Sequence, residues 1–536
     1  MLRRLPHGPR VAALVLAANL LIAAIFFAPL LAQLDTAILA DDIFIRPGFS
    51  DAFNFLWGYW WVQKALSLGI SPFHCSWILP PNGADLRLHT LPLLPAWLTW
   101  PLGALLGPVA GYNLSVLGLI VGGALAAQWT FRRAFLLSWP AAFAAGALFG
   151  YAPYFVYQAH SHIHLVGAAF WATALGQIVV AYERQDFRWR RGVWFAVALW
   201  ATLYSSLLEF SMLLLVGAAL VAAYELAPPA GRPTLAQRMR FLLPALVGAV
   251  TLIPFLRGGT GHVAVGIYHT IRLRNLLRFP PLSMLSPPDG AFLPEFGGQY
   301  LPLTLLLPAL AGAVLAWREP RRGTRALAAA ALFSMLLTLD ALELPSRVLR
   351  ALPLGSGIRV FSRFYPFSLF FAAALAAFAL ERLWRARRAG PLLAGLMLAG
   401  VAGFVAEYAP ARLSPSLVRR MPLPAGVELD KSRFLLVVPR RDYRSVQDTW
   451  AVSFDMRTVK LSFVGREVPE ERWFREGAYP KVYNDWIDLG DPETISQLRG
   501  LGVGYVLLEH DGRARPATGR QIARAGQYSL WSLGGR

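Results

Sequence analysis

The stretch LHTLPLLPAWLTWPLGALLGP (residues 88–108) decides the topology of this chain. Its apolar length could cross a hydrocarbon core about 30 Å thick, which needs roughly 20 residues of helix. Counting it as a span would reverse the side of every loop that follows. Charge arbitrates. With 88–108 left out, residues 1–10, 131–138, 183–191, 227–240, 318–325 and 382–388 fall on one side and together hold 20 arginines. The stretch 34–110 carries only Arg46, Lys64 and Arg87. Short loops rich in arginine stay in the cytoplasm. Residues 88–108, interrupted by Pro92, Pro95 and Pro101, are therefore expected as a broken helix lying on or dipping into the outer face.

Working outward, eleven membrane spans are expected near 11–33, 111–130, 139–158, 163–182, 192–208, 209–226, 241–256, 301–317, 326–343, 363–381 and 390–408. The first follows Arg3, Arg4 and Arg10 but exceeds the 7–15 apolar residues of a cleavable signal, so it reads as an uncleaved span. Residues 192–226 are too long for one crossing and split near Ser205, Ser206 and Glu209 as a tight hairpin. The fold class expected is an all-α polytopic membrane domain over 1–408 with a cytoplasmic N-terminus, and a long outer loop, 34–110, carrying juxtamembrane helices. From 409 to 536 the composition shifts: 15 of the 31 acidic residues fall there and no run could span. RFLLVVP (433–439), TVKLSF (458–463) and VGYVLLE (503–509) read as strands and ETISQLRGLG (493–502) as a helix, a small soluble α/β domain outside the membrane.

Across all 536 residues, 56% are hydrophobic and 15% charged, against roughly 45–50% and about 25% in soluble domains. The net charge of +20 sits in short clusters between apolar runs, which excludes nucleic acid as a partner. The single cysteine, Cys75, excludes a disulfide framework and a cysteine zinc site.

Candidate chemistry concentrates at the outer ends. Asp35, Asp41, Asp42 and Asp51 lie just after the first span, and a carboxylate beside a membrane can serve as general base or simply cap and solvate a loop. Asp51 opens SDAFNFLWGYWW (50–61), where Ser50 can take the capping role. The aromatic residues of that helix are expected in the headgroup layer. HSHIH (160–164) follows the third span. A helix would put His160 and His164 on one face, an extended chain would align His162 with both, and either could meet phosphate, move a proton or do neither. A divalent metal there is compatible with the residues but not required by them. Arg359 and Arg363 lie at i and i+4 before a late span, and Arg257, Arg272, Arg274 and Arg278 lie in the outer loop 257–300. Guanidinium groups on the outer side suit phosphate oxygens, or snorkel to lipid headgroups.

The order of these features resembles the GT-C superfamily of polytopic membrane glycosyltransferases. The residues that carry the likeness are Ser50, Asp51, Trp57, Trp60, Trp61, Ala65, Leu66, Gly69, Pro72, Phe73, Pro81, Gly83 and Thr90, then Tyr112 and Asn113 in the second span. The histidines after span three, the Arg359/Arg363 pair and LRGLGVGYVLLEH (498–510) add to it. The resemblance implies an inner-membrane enzyme of the cell envelope. It would transfer a sugar from a polyprenyl-phosphate donor to a glycan, lipid or protein acceptor on the outer face. Carried over, Asp51 is the base, with Asp42 and Asp41 as rivals because the adjacent acidic pair stands some ten residues earlier. Arg359, Arg363, His160, His162 and His164 would hold the donor phosphate. Two other readings remain: a transporter or flippase of a lipid-linked or anionic solute, and a non-catalytic envelope-assembly protein on the same scaffold.

Overall fold

A computed structural model describes residues 9–40, 51–87, 89–160, 162–226, 233–253, 302–318, 322–339, 347, 360–385, 399–400, 402–404, 415–418, 421–438, 446–459, 487–509, 516, 518–526 and 528–534. In chain order the helices are α1 (Pro9–Phe26), α2 (Ala28–Leu31), α3 (Asp51–Ser67), α4 (Leu93–Leu98), α5 (Trp100–Leu106), α6 (Pro108–Phe135), α7 (Trp139–Gly150), α8 (Pro153–Ala159), α9 (Ala168–Arg184), α10 (Trp189–Ser205), α11 (Leu207–Leu226), α12 (Leu235–Gly248), α13 (Leu303–Arg318), α14 (Arg322–Leu339), α15 (Tyr365–Arg385), α16 (Val446–Phe454) and α17 (Pro492–Gly500). The strands are β1 (Ala37–Leu39), β2 (His74–Cys75), β3 (Ala84–Asp85), β4 (Pro415–Leu417), β5 (Phe434–Val438), β6 (Arg457–Thr458), β7 (Val503–Glu509), β8 (Arg520–Ala525) and β9 (Tyr528–Ser532). Among the described residues six helices are long and apolar enough to cross a membrane. The expected segments from 11–33 through 363–381 coincide with described helices, whereas 390–408 lies largely outside the described residues. Residues 139–158 break at Pro153 into α7 and α8, and Ser206, extended at φ −161° and ψ 110°, separates α10 from α11.

The chain divides into two compact units, with the boundary inside α6 between Asn113 and Leu114. In the first unit α15 packs on α7, α13 and α14. Close approach is set by small residues, as in membrane bundles. A Cβ on Gly150 would stand 2.4 Å from that of Ala124, and one on Gly122 would stand 2.8 Å from that of Ala169. Polar groups inside pair reciprocally: Asn19 Nδ2 donates to Gln128 Oε1 at 3.0 Å and Gln128 Nε2 to Asn19 Oδ1 at 3.1 Å. An amide buried in this setting costs several kcal/mol unless both of its functions are met.

The second unit joins Gln33–Asn113 to Ser414–Arg536. Its sheet runs β6-β5-β7-β9-β8, with β5 parallel to β6 and β7 and the β7–β9–β8 edge antiparallel. Leu435, Val437, Trp450, Leu507 and Leu530 form its core. β1 pairs with β4, Ile38 opposite Ser416. The helix α3 lies against α16, and Lys64 Nζ meets Asp455 Oδ2 at 2.7 Å. Trp57, Tyr59 and Trp61 are fully buried in protein, which corrects the expected place of this helix in the headgroup layer. The reason is that apolar side chains lie on every side of α3, with Asn54 and Gln63 buried among them, and such a helix is covered all round. Residues 88–108 do form an interrupted pair, α4 and α5, whose Trp97, Trp100 and Leu105 are exposed.

Most of the family-like loop residues build this unit. Trp61 Nε1 donates to Pro72 O at 2.9 Å, and Tyr59 meets Thr99 Oγ1 at 2.5 Å and stands edge-on to Tyr112. Gly69, at φ +67°, ends α3, with Ile70 N–H returning to Ala65 O. Asn113, buried in α6, donates to Leu34 O at 2.8 Å and Ala37 O at 2.7 Å and so fixes the start of the loop.

Candidate active site

Ser206, Leu207, Leu208 and Glu209 spell a helix-start signal in which the serine caps the third helical N–H and the glutamate reaches back. Only half of it forms. Glu209 N–H donates to Ser206 Oγ at 3.2 Å, but Ser206 N–H is already given to Thr202 O at 2.8 Å. The Glu209 carboxylate is thereby released from capping and turned into the protein, where the residue is 2% exposed. Gly167 makes its room, since a Cβ there would stand 2.5 Å from Oε2. The Trp171 indole reaches toward the carboxylate without closing a full hydrogen bond, so Oε2 has no partner among the described residues. Phe149, Phe367 and Phe370 hold Trp171, with ring centroids 5.6, 4.5 and 6.1 Å away. Arg363, in the 3-10 turn Phe361–Phe364 ahead of α15, supplies the positive field at Glu209.

The described residues of HSHIH form neither an α-helix nor a strand. His160 closes α8 with Nδ1 at 2.8 Å from Val156 O and its ring near Tyr157. His162 is a non-helical residue, and His164 sits in the 3-10 turn Ile163–Leu165. The rings of His162 and His164 meet edge to face at 5.5 Å, and all three histidines are buried. The same turn leads through Gly167 into α9, and a Cβ on Gly167 would stand 2.5 Å from Glu209 Oε2 and 3.9 Å from His164 O, so the turn carrying His164 lies beside Glu209 and the Arg363 that acts on it, where α9, α11 and α15 begin. Among the described residues no three His, Cys, Asp or Glu side chains are placed to hold a metal.

Asp51 opens α3 in the second unit and is partly buried. Asp41, Asp42 and Arg359 lie outside the described residues, as do Arg257, Arg272, Arg274 and Arg278. Glu209 was legible only as a break between two spans. Its other signal was an acid inside an apolar run of more than 30 residues, a position that is costly without a task.

No protein-family model matches the chain, and no curated protein matches it in sequence. Among solved structures, the arabinofuranosyltransferase AftD from Mycobacteria superposes with a TM-score of 0.60 at 16% identity, over 99% of this chain and 42% of that one. The fold is GT-C. A second AftD structure gives 0.56 at 15% identity, over 98% of this chain and 41% of that one. ArnT from Cupriavidus metallidurans aligns over 98% of both chains with a TM-score of 0.45 at 14% identity. The chain thus spans less than half the length of AftD.

Proposed function

We propose that this GT-C chain is an inner-membrane glycosyltransferase. It would move a hexosyl or pentosyl group from a polyprenyl-phosphate donor to a glycan, lipid or protein acceptor on the outer face of the membrane. The observation that supports the reading is the buried Glu209, set against Arg363 and the turn that carries His164, where α9, α11 and α15 begin in a bundle with the AftD fold. AftD is an arabinofuranosyltransferase, and sugar transfer comes to this chain by that likeness of fold.

In the proposed step the acceptor oxygen forms a bond to the sugar's anomeric carbon as the bond from that carbon to the donor phosphate oxygen breaks. Asp51, or Asp42 or Asp41 ahead of it, takes the acceptor proton. Negative charge grows on the departing polyprenyl phosphate, and preorganised cations in a poorly solvated site lower that barrier. Arg363, with Arg359 four residues earlier, fills this role, with His160, His162 and His164 beside the phosphate. Glu209, set in the field of Arg363, would tune how Arg363 meets the donor.

The experiment is consumption of radiolabelled polyprenyl-phosphate sugars by the purified protein in lipid, with Asp51→Asn and Arg363→Ala as variants. Sugar release by wild type that falls at least a hundredfold in Arg363→Ala supports the reading, an oxyanion donor being worth about 10²–10³ in rate. Saturable binding of the donor with no turnover in wild type favours the non-catalytic scaffold.

A further inference from the structure

The opposite end of the first unit carries a groove that the proposed chemistry does not use. It lies between α6, α9 and α10, encloses about 880 Å³, and runs from Gly122 and Leu125 to Arg133. Those twelve residues of helix correspond to about 17 Å along the axis. Its inner wall is apolar, with Leu125 and Ala126, while its mouth is basic, with Arg132, Arg133, Arg188, Arg190 and Arg191.

Two acids face these groups, Asp186 and, toward Arg132, Glu381, and they do not neutralise all five arginines. Asp186 meets Arg191 at 2.6 Å and Arg188 at 3.5 Å, which occupies both of its oxygens. Arg132 lies over the Trp139 ring at 5.6 Å, and its Nε is buried with no hydrogen-bond acceptor among the described residues. Arg133 and Arg190 have no acidic partner among the described residues. The first turn of α10 adds uncapped N–H groups, since Arg188 at its N-cap makes no side-chain cap. Trp129 and Trp194, both exposed, flank the opening as interfacial aromatics do.

An apolar channel about one leaflet deep with a basic mouth is complementary to one kind of molecule. We infer that this groove binds an anionic diacyl phospholipid, its phosphate among Arg132, Arg133 and Arg190 and an acyl chain along Leu125 and Ala126. Basic pockets between membrane helices hold such headgroups, each arginine near the surface contributing about 1 kcal/mol, or roughly fivefold in affinity.

The test is native mass spectrometry of the full chain in detergent, titrated with phosphatidylglycerol and with phosphatidylcholine of the same acyl chains. Wild type, with three arginines at roughly fivefold each, is expected to retain phosphatidylglycerol about a hundredfold better. Arg133→Gln combined with Arg190→Gln should lower that preference on the order of twentyfold, while Arg240→Gln, an exposed arginine on α12 outside the groove, should leave it unchanged. Thermal midpoints without lipid should agree between wild type and the double variant, which separates lost binding from lost folding. Equal retention of the two lipids, or an equal loss in Arg240→Gln, would overturn the assignment. So would an acidic protein that copurifies on these arginines and excludes the lipid.

Discussion

Glu209 Oε2 occupies the space that a side chain on Gly167 would fill, 2.5 Å from the position of its Cβ. The pair couples the turn after HSHIH to the first turn of α11, and the glycine is there because the carboxylate is. Gly167→Ala is expected to destabilise the protein by about 1–3 kcal/mol, the usual cost of overpacking. Shortening the acid with Glu209→Asp in the same chain should recover a large part of that loss. A double-mutant cycle on thermal midpoints checks it, and additive losses would contradict the contact.

Arg363 and Glu209 should differ in their effects on turnover. Arg363→Lys keeps the charge but not the two-pronged geometry that matches phosphate. Donor consumption in that variant is expected to fall by about tenfold or more, and in Glu209→Gln to change with a shifted KM for the donor rather than to vanish. Initial rates against donor concentration separate the two.

Asn113 is expected to behave as a structural residue. Its side-chain N–H groups meet two backbone carbonyls, Leu34 O and Ala37 O, and Asn113→Ala strands both. The cost should be about 1–3 kcal/mol. Asn113→Asp, which sets a carboxylate against those carbonyls, should cost more. Midpoints by thermal unfolding in detergent order the three proteins.

A pH effect is expected from Asp85. Burial raises its pKa, but the hydrogen bonds and charge of Arg87 outweigh burial and hold it below the ordinary 3.8. A carboxylate with a depressed folded pKa adds stability above its unfolded value and loses it as pH falls through the folded one. The midpoint gap between wild type and Asp85→Asn should therefore be present at pH 7 and shrink below about pH 4. It should be small, since the pair is about one third exposed and such bridges are worth about 0–1 kcal/mol.

What the sequence made legible follows from what is local. Pro92, Pro95 and Pro101 forbid a continuous helix over 88–108, and α4 and α5 meet at Thr99. Ser205 and Ser206 mark a break in an apolar run, and α10 ends there. What it concealed depends on partners distant in the chain. The aromatic residues of α3 fit lipid headgroups or protein equally well by composition, and they are covered because Gly103 approaches Gln63 and Gly111 approaches Tyr59 closely. HSHIH admitted a helix or a strand, and the chain took neither, bending His160 onto α8 while His162 and His164 paired. Glu209 was legible as a break between two spans, and its inward turn depends on Thr202 O taking the Ser206 N–H.

The most direct measurement is the rate at which the purified protein releases sugar from a radiolabelled polyprenyl-phosphate donor, in wild type and in Asp51→Asn. The account expects turnover in wild type and a loss of about 10²-fold or more in Asp51→Asn, the scale of a removed general base. Undiminished turnover in Asp51→Asn would contradict the assignment of the base, and failure of wild type to consume any such donor would contradict the glycosyltransferase itself.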